Sequence, residues 1–444
     1  MSEAKVLTAD VAVLSSGGPA PGINGVLWGV VCEADRLGLS VAGVRDGFRW
    51  LECGDAKHAV PLTVAGVLPE RFKGGSMLGM SRANPNKDDK KPGADGVQRT
   101  REEKLDNVLS VLRTMGVKYL VTIGGDDTAL TALRVSEHLA GQVRVAHVPK
   151  TIDNDLPLPP GVPTFGFRTA SAVGGELVGH LMADARTTGR WYVVVMMGRS
   201  AGHLALGTAT AGGATLAVIP EEFGGRRDVS ADEVCRLVEG GIFKSRLLGR
   251  GYGVAVIAEG VGELAAEDIR ARYDGNPLVK FKRNINHDLR LAEVPLGPIF
   301  KRELQRRAAE RGDAVKFVDI TTGYELRCAP PNGFDVEYTE VLGGAAVRCV
   351  VEADGSGGPQ RCAMVTREGL EVVLKDLAGL IGEDGKIEVR RVDMMSEQYA
   401  MLRSHMVRLE PGDLADGEQV ARLAEAAGMK VEAFVAEYGG RESR

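Results

Sequence analysis

The sequence predicts an α/β fold on mostly parallel sheets, and three observations carry that expectation. Short apolar runs ending in glycine alternate with amphipathic stretches, the pattern of strands feeding crossover helices. The unit recurs along the chain instead of appearing once. Glycine is abundant, at 58 of 444 residues, against an ordinary share of about 7%. That excess suits tight turns and places where backbone closes on a ligand.

Val11 to Leu14 reads as a buried strand followed by the turn GGPAPG. Ile23, Val26, Leu27, Val30, Val31, Ala34 and Leu37 then keep the spacing of one helical face, and Val41 to Val44 returns as a strand. A second stripe, Leu105, Val108, Leu109, Leu112 and Met115, stops at Gly116. The run YLVTI leads into GGDDT, and Ala129, Leu130, Leu133 and Leu139 mark the next helix. Val143 to Val148 is a further strand, emptying into PKTIDND. WYVVVMMG, ATLAVIP and YGVAVIAEG read as three strands of a second sheet. Residues 84–104 are dense in charge and read as an exposed, mobile loop, with the run KDDKK solvated. The stretch after Gly369 carries weak helical patterns such as MMSEQYAMLRSHMVRL and no chemical motif. Trp191, Met196 and His147 are expected in the core, and His203 at a helix start.

A net charge of -5 gives no basic footprint for nucleic acid or an anionic membrane. No apolar run approaches the roughly 18 residues of a membrane helix, and MSEAKVLTAD lacks the apolar stretch of a signal peptide. The six cysteines are scattered without a C-x-x-C pair, which argues against a zinc site or disulfide framework. A cytoplasmic protein is expected.

Functional groups in open α/β sheets gather beyond the carboxyl ends of strands, and three glycine-acidic clusters sit at such places. Gly17 and Gly18 open a helix start whose backbone N–H groups suit an anion. The pattern is not G-x-G-x-x-G, so a dinucleotide-binding oxidoreductase is disfavoured. Asp126 and Asp127 follow a strand, where carboxylates suit Mg²⁺ bridging phosphate oxygens. Lys150 offers a point charge to a phosphoryl group in transit, and Asp153 a carboxylate to take the proton of an attacking hydroxyl.

GGPAPGIN, GGSMLGMSR, GGDDT, PKTIDND, TFGF, MGRSAGH, the glycine-flanked AEG and GYELR resemble, in that order, the phosphofructokinases. The likeness spans Val11 to Val347. It implies two Rossmann-like domains with the active site in the cleft between them: residues 1–160 plus about 328–444 for the phosphate donor and Mg²⁺, and about 161–327 for the sugar phosphate. It implies phosphoryl transfer to the C1 hydroxyl of fructose 6-phosphate, reversible and magnesium-dependent. Two positions resemble the pyrophosphate-dependent branch. Asp127 stands where ATP users have glycine, and its carboxylate would crowd and repel a nucleotide α-phosphate. Lys150 replaces a glycine of many bacterial ATP enzymes.

By that resemblance Gly18, Arg82, Gly125 and Lys150 contact pyrophosphate, Asp126 holds the metal, and Lys150, Asp127 and Asp153 form the catalytic set. Thr151, Asp153 and Asp155, with Met197, Gly198, Arg199 and Glu259, line the sugar side. Tyr324 and Arg327 clamp the 6-phosphate, where a guanidinium suits bidentate binding. Arg190 reaches a neighbouring subunit's site, implying a homodimer or homotetramer. A second cross-subunit arginine of tetrameric relatives is replaced by Val318, with Lys316 nearby, and Arg168 departs from the family pattern. An ATP-dependent phosphofructokinase and a catalytically silent regulatory homologue remain alternatives at this point.

Overall fold

The computed structural model describes residues 6–273, 294–352 and 362–439. Among them run twelve strands: β1 (Val11–Ser15), β2 (Val41–Val44), β3 (Ala59–Leu62), β4 (Tyr119–Gly124), β5 (Arg144–Thr151), β6 (Phe165–Gly166), β7 (Trp191–Met196), β8 (Leu216–Val218), β9 (Gly253–Ala258), β10 (Phe317–Thr322), β11 (Ala363–Glu368) and β12 (Glu371–Asp376). The chain divides into two units, Met1–Ala170 with Tyr324–Arg390, and Ser171–Gly323 with Arg391–Arg444.

In the first unit the strand order is β12-β11-β5-β4-β1-β2-β3, with β6 beside the end of β5. The central pairs are parallel, and only β2–β3 and β11–β12 run antiparallel. β1 and β4 are buried along their whole length, as the unbroken apolar runs require. The helices Ile23–Arg36 and Gly333–Glu352 approach so closely that glycine is obligatory. A Cβ on Gly29 would lie 2.2 Å from the Glu340 carbonyl oxygen, and one on Gly343 2.2 Å from that of Val26. The buried Asp335 carboxylate accepts the N–H groups of Gly166 and Thr169 at 2.8 and 2.9 Å. It thereby caps the helix Phe167–Thr188, with the charge of Arg168 nearby.

The second unit holds a four-stranded parallel sheet, β10-β7-β9-β8. Its three expected strands are present, and Trp191 and Met196 are core residues at 1% and 0% exposure. β10 is a fourth strand that the pattern did not single out.

The expectation for the tail needs correcting. Residues 324–390 join the first unit, but 391–444 belong to the second. Phe434 and Tyr438 pack edge-on against Phe243, and the Tyr438 hydroxyl donates to Glu239 at 2.8 Å. The Val407 N–H donates to the Thr215 carbonyl at 2.8 Å, just before β8. Apolar burial of this size fixes the tail's place more strongly than sequence proximity to the first unit. The helix Glu397–Ser404 lies in the stretch read as helical. Among the described residues no helix is long and apolar enough to cross a membrane.

Candidate active site

β5, β4 and β1 are neighbours in the first sheet, so their carboxyl ends bring together the three clusters read from the sequence. Gly17, at φ 87°, turns the chain out of β1 into the helix Ile23–Arg36. Gly18 lies directly against Arg327: a Cβ there would stand 1.5 Å from Nη2 unless that side chain moved aside. Gly125 precedes the helix Asp126–Leu139, so Asp126 and Asp127 occupy its first turn. The buried Lys150 donates from Nζ to the Gly18 carbonyl and would stand 3.7 Å from a Cβ on Gly17. The amine of one strand end thus meets the glycine loop of another.

Electrostatics mark this as a cluster of interacting charges. Burial, then the nearby Arg327, pulls Lys150 down to about 8. Asp126 is raised by desolvation and by the charge of Asp127. Asp155 is pushed up to about 7 by burial, then by the charges of Asp153 and Asp126. Carboxylates that raise one another's pKa favour a cation between them. Among the described residues no three His, Cys, Asp or Glu side chains enclose a metal by themselves. Mg²⁺ takes one or two protein carboxylates and completes its shell with phosphate oxygens and water, a donor set that Asp126 suits. The Asp153 N–H donates to Thr151 Oγ1 at 3.0 Å, folding the loop after β5 on itself. His147 is fully buried with a pKa lowered to about 3 by desolvation. Its Nε2–H donates to the Gly124 carbonyl at 3.1 Å, and Nδ1 lies 2.9 Å from Thr122 Oγ1. This neutral core histidine bridges β5 to β4.

The charged segment 84–104 is a largely exposed loop, as read, but it is tied down at several points. Lys104 is buried and lies 2.8 Å from Asp89 and 3.2 Å from Glu52. Asp88 accepts the Arg101 N–H at 2.7 Å, opening the helix Arg101–Thr114. Asn84 accepts from Thr131 Oγ1 at 3.0 Å. So anchored, the segment carries Lys87 to within 3.2 Å of Asp127. Arg82 is exposed beside Ser81, whose carbonyl accepts the Gly17 N–H at 2.8 Å. Tyr324 and Arg327 share one short helical turn, the guanidinium 5.4 Å from the ring, with Tyr324 65% exposed. Arg327, expected at the sugar phosphate, stands against the Gly18 loop.

In the second unit, Met197, Gly198 and Arg199 follow β7, and Glu259 follows its neighbour β9. The Gly260 N–H donates to the Gly198 carbonyl at 3.1 Å. A Cβ on Gly260 would lie 2.3 Å from the Arg199 carbonyl oxygen, so the two loops are in contact. Arg199 pairs with Glu263 at 3.1 Å. Arg190 precedes β7, and its Nε lies 3.9 Å from Asp184. Sequence reasoning gave Lys87 and Arg390 no role at the site. For Lys87 the only signal was charge density, and Arg390 had none.

The chain matches the family model for phosphofructokinase over residues 10–350. It is 45% identical to a pyrophosphate–fructose 6-phosphate 1-phosphotransferase of Thermotoga maritima, over 96% of this chain and 97% of that one. Identity to a protein of the same name from Naegleria fowleri is 40%, covering 96% and 94%. Among solved structures, phosphofructokinase from Saccharomyces cerevisiae shares the fold at a TM-score of 0.62 and 20% identity. That match covers 97% of this chain and 49% of the longer yeast one. A family match over most of the chain and near-complete alignment with relatives of one name lead to one conclusion: this chain belongs to the phosphofructokinase family.

Proposed function

We propose that this phosphofructokinase transfers a phosphoryl group from pyrophosphate to the C1 hydroxyl of fructose 6-phosphate, giving fructose 1,6-bisphosphate and phosphate. The observation that carries the reading is Asp127 beside Asp126 in the first turn after β4, where the charge of the buried Lys150 reaches Asp126 and Lys150 itself bonds the Gly18 loop. A two-phosphate donor fits where a nucleotide's α-phosphate would meet a carboxylate. The names of the relatives from Thermotoga maritima and Naegleria fowleri support the same donor and acceptor.

Asp153 takes the C1 hydroxyl proton as that oxygen attacks phosphorus, and the bridging P–O bond of pyrophosphate breaks. Lys150 neutralises charge on the phosphoryl group in transit, and the Gly18 backbone and Gly125 orient the donor. Arg82 supplies a further cation to it. Asp126 would hold Mg²⁺, which supplies charge neutralisation between the phosphates. Thr151 and Asp155 flank Asp153, while Met197, Gly198, Arg199 and Glu259 contact the sugar. Tyr324 takes the 6-phosphate, and Arg327, resting against the Gly18 loop, turns from there to join it. The phosphoanhydride and the sugar ester being close in energy, the reaction runs in both directions.

Arg190 is assigned to a neighbouring subunit's site in a homodimer or homotetramer; an R190A variant with a raised KM for fructose 6-phosphate and unchanged pyrophosphate KM would support it. All six cysteines are free thiols, which suits the cytoplasm. Coupled assays with pyrophosphate and ATP test the donor. An Asp153→Ser variant that kept full turnover would remove the proposed base.

A further inference from the structure

Arg390 lies beyond the residues matched by the family model, in a segment without chemical pattern. Its side chain nevertheless reaches the loop after β5. Nε donates to the Asn154 carbonyl at 3.1 Å, Nη1 to the Val162 carbonyl at 2.7 Å, and Nη2 to Asn154 Oδ1. The Arg390 N–H donates to the Asp155 carbonyl at 2.7 Å. One residue thus binds both peptide carbonyls that follow Asp153.

Asn154 is held in an uncommon conformation: its φ of 58° is left-handed, a region that asparagine enters more readily than other non-glycine residues. Its Oδ1 also accepts the Thr164 N–H at 3.0 Å, so the side chain ties the turn to the residue just before β6. Asn154 sits between Asp153 and Asp155, and any relaxation of its backbone redirects both carboxylates. A guanidinium satisfies three acceptors in one plane; an ammonium of equal charge does not.

Resting on the phosphoryl-transfer reading above, we infer that Arg390 is a positioning residue for this reaction, locking the turn at Asn154 so that Asp153 and Asp155 are held in register with the donor phosphate. It touches no substrate and acts through the backbone of that turn.

The test compares wild type with Arg390→Ala and Arg390→Lys in steady-state kinetics and thermal unfolding, using whichever donor the wild type turns over. In R390A kcat should fall by about 100-fold, as a misplacement of roughly 1 Å does. KM for both substrates should stay within about threefold. Guanidinium chloride at a sub-denaturing concentration should restore part of kcat, where sodium chloride at equal strength does not. R390K should recover less than guanidinium does. Should R390A fail to fold, Asn154→Gly keeps the left-handed backbone, deletes the Oδ1 acceptor and should show the same kcat-selective loss at smaller size. Unchanged kcat in these variants would overturn the assignment, as would a loss that tracks the thermal midpoint and resists guanidinium. A wild type that used ATP but not pyrophosphate would sink the donor reading. A kcat-selective, guanidinium-rescued loss with ATP would still uphold Arg390.

Discussion

Lys87 Nζ stands 3.2 Å from Asp127 Oδ1, joining the charged segment 84–104 to the carboxylate proposed to exclude nucleotides. Both side chains are well exposed, at 41% and 65%. An exposed pair of this kind contributes about 0–1 kcal/mol. Asp127 is therefore dispensable for folding, and the consequence proposed for it lies in donor choice.

Asp127→Gly should raise kcat/KM for ATP by at least about tenfold, the effect of roughly 1.4 kcal/mol of relieved repulsion. Its thermal midpoint should hold. Parallel assays with the two donors read this directly, and an ATP rate indistinguishable from wild type would show the exclusion argument to be wrong.

Lys150 gives a pH signature with opposite signs for stability and activity. Its folded pKa, about 8, lies below the ordinary 10.5 because the amine is buried. The unfolded chain then binds more protons between about 8 and 10.5, so this residue's contribution to stability rises with pH through that window. Below it the burial penalty is fully present. Activity should move the other way, kcat/KM for pyrophosphate falling above about pH 8 as the amine loses its charge. Lys150→Met should lose about 10²-fold or more in kcat. It should unfold no more easily than wild type at pH 7 and show a flatter stability profile on the basic side.

Two glycines separate function from packing. At Gly18 an added methyl meets the far end of the Arg327 side chain, which can swing away. Gly18→Ala should therefore raise KM for pyrophosphate about tenfold or more, with stability near wild type. At Gly29 the methyl meets the Glu340 carbonyl of a packed helix, 2.2 Å away. Gly29→Ala should cost about 1–3 kcal/mol in denaturant unfolding and leave the KM values of the folded fraction unchanged. The reverse pattern would contradict the packing and loop assignments together.

In the second unit Arg307 bonds Glu239 at 2.9 Å and Glu437 at 2.8 Å, and Glu239 is 1% exposed. Arg307→Ala strips one of two arginine partners from a buried carboxylate, Arg311 remaining at 2.7 Å, and should cost about 1–3 kcal/mol. Chemical unfolding of the variant beside Arg307→Ala/Arg311→Ala checks this, since removing both arginines leaves the Glu239 charge uncompensated and should cost more than the single change.

The parts legible in the sequence are those written in local pattern. β1, β4, β7 and β9 are uninterrupted apolar runs, and the clusters at the ends of β1, β4 and β5 follow from where such runs stop. β10 went unread because its polar positions look like loop, although Asp319 is held by Lys301 at 2.8 Å. β3 carries Pro61 on an edge, which masks a strand. The charged segment 84–104 is mostly solvated, as its composition says, but its end residue Lys104 is buried beside Asp89 and Glu52, a pairing that composition cannot show. Arg390 and Asp335 act on backbone groups more than 150 residues away, a relationship no window of sequence contains. The tail's membership of the second unit rests likewise on Phe434 meeting Phe243, a contact set by tertiary burial.

The most direct measurement is fructose 6-phosphate turnover by the purified protein with Mg²⁺ and either pyrophosphate or ATP at matched concentration. Fructose 1,6-bisphosphate formed with pyrophosphate, and little or none with ATP, is the expected result. Turnover with ATP and none with pyrophosphate would contradict the role given to Asp127.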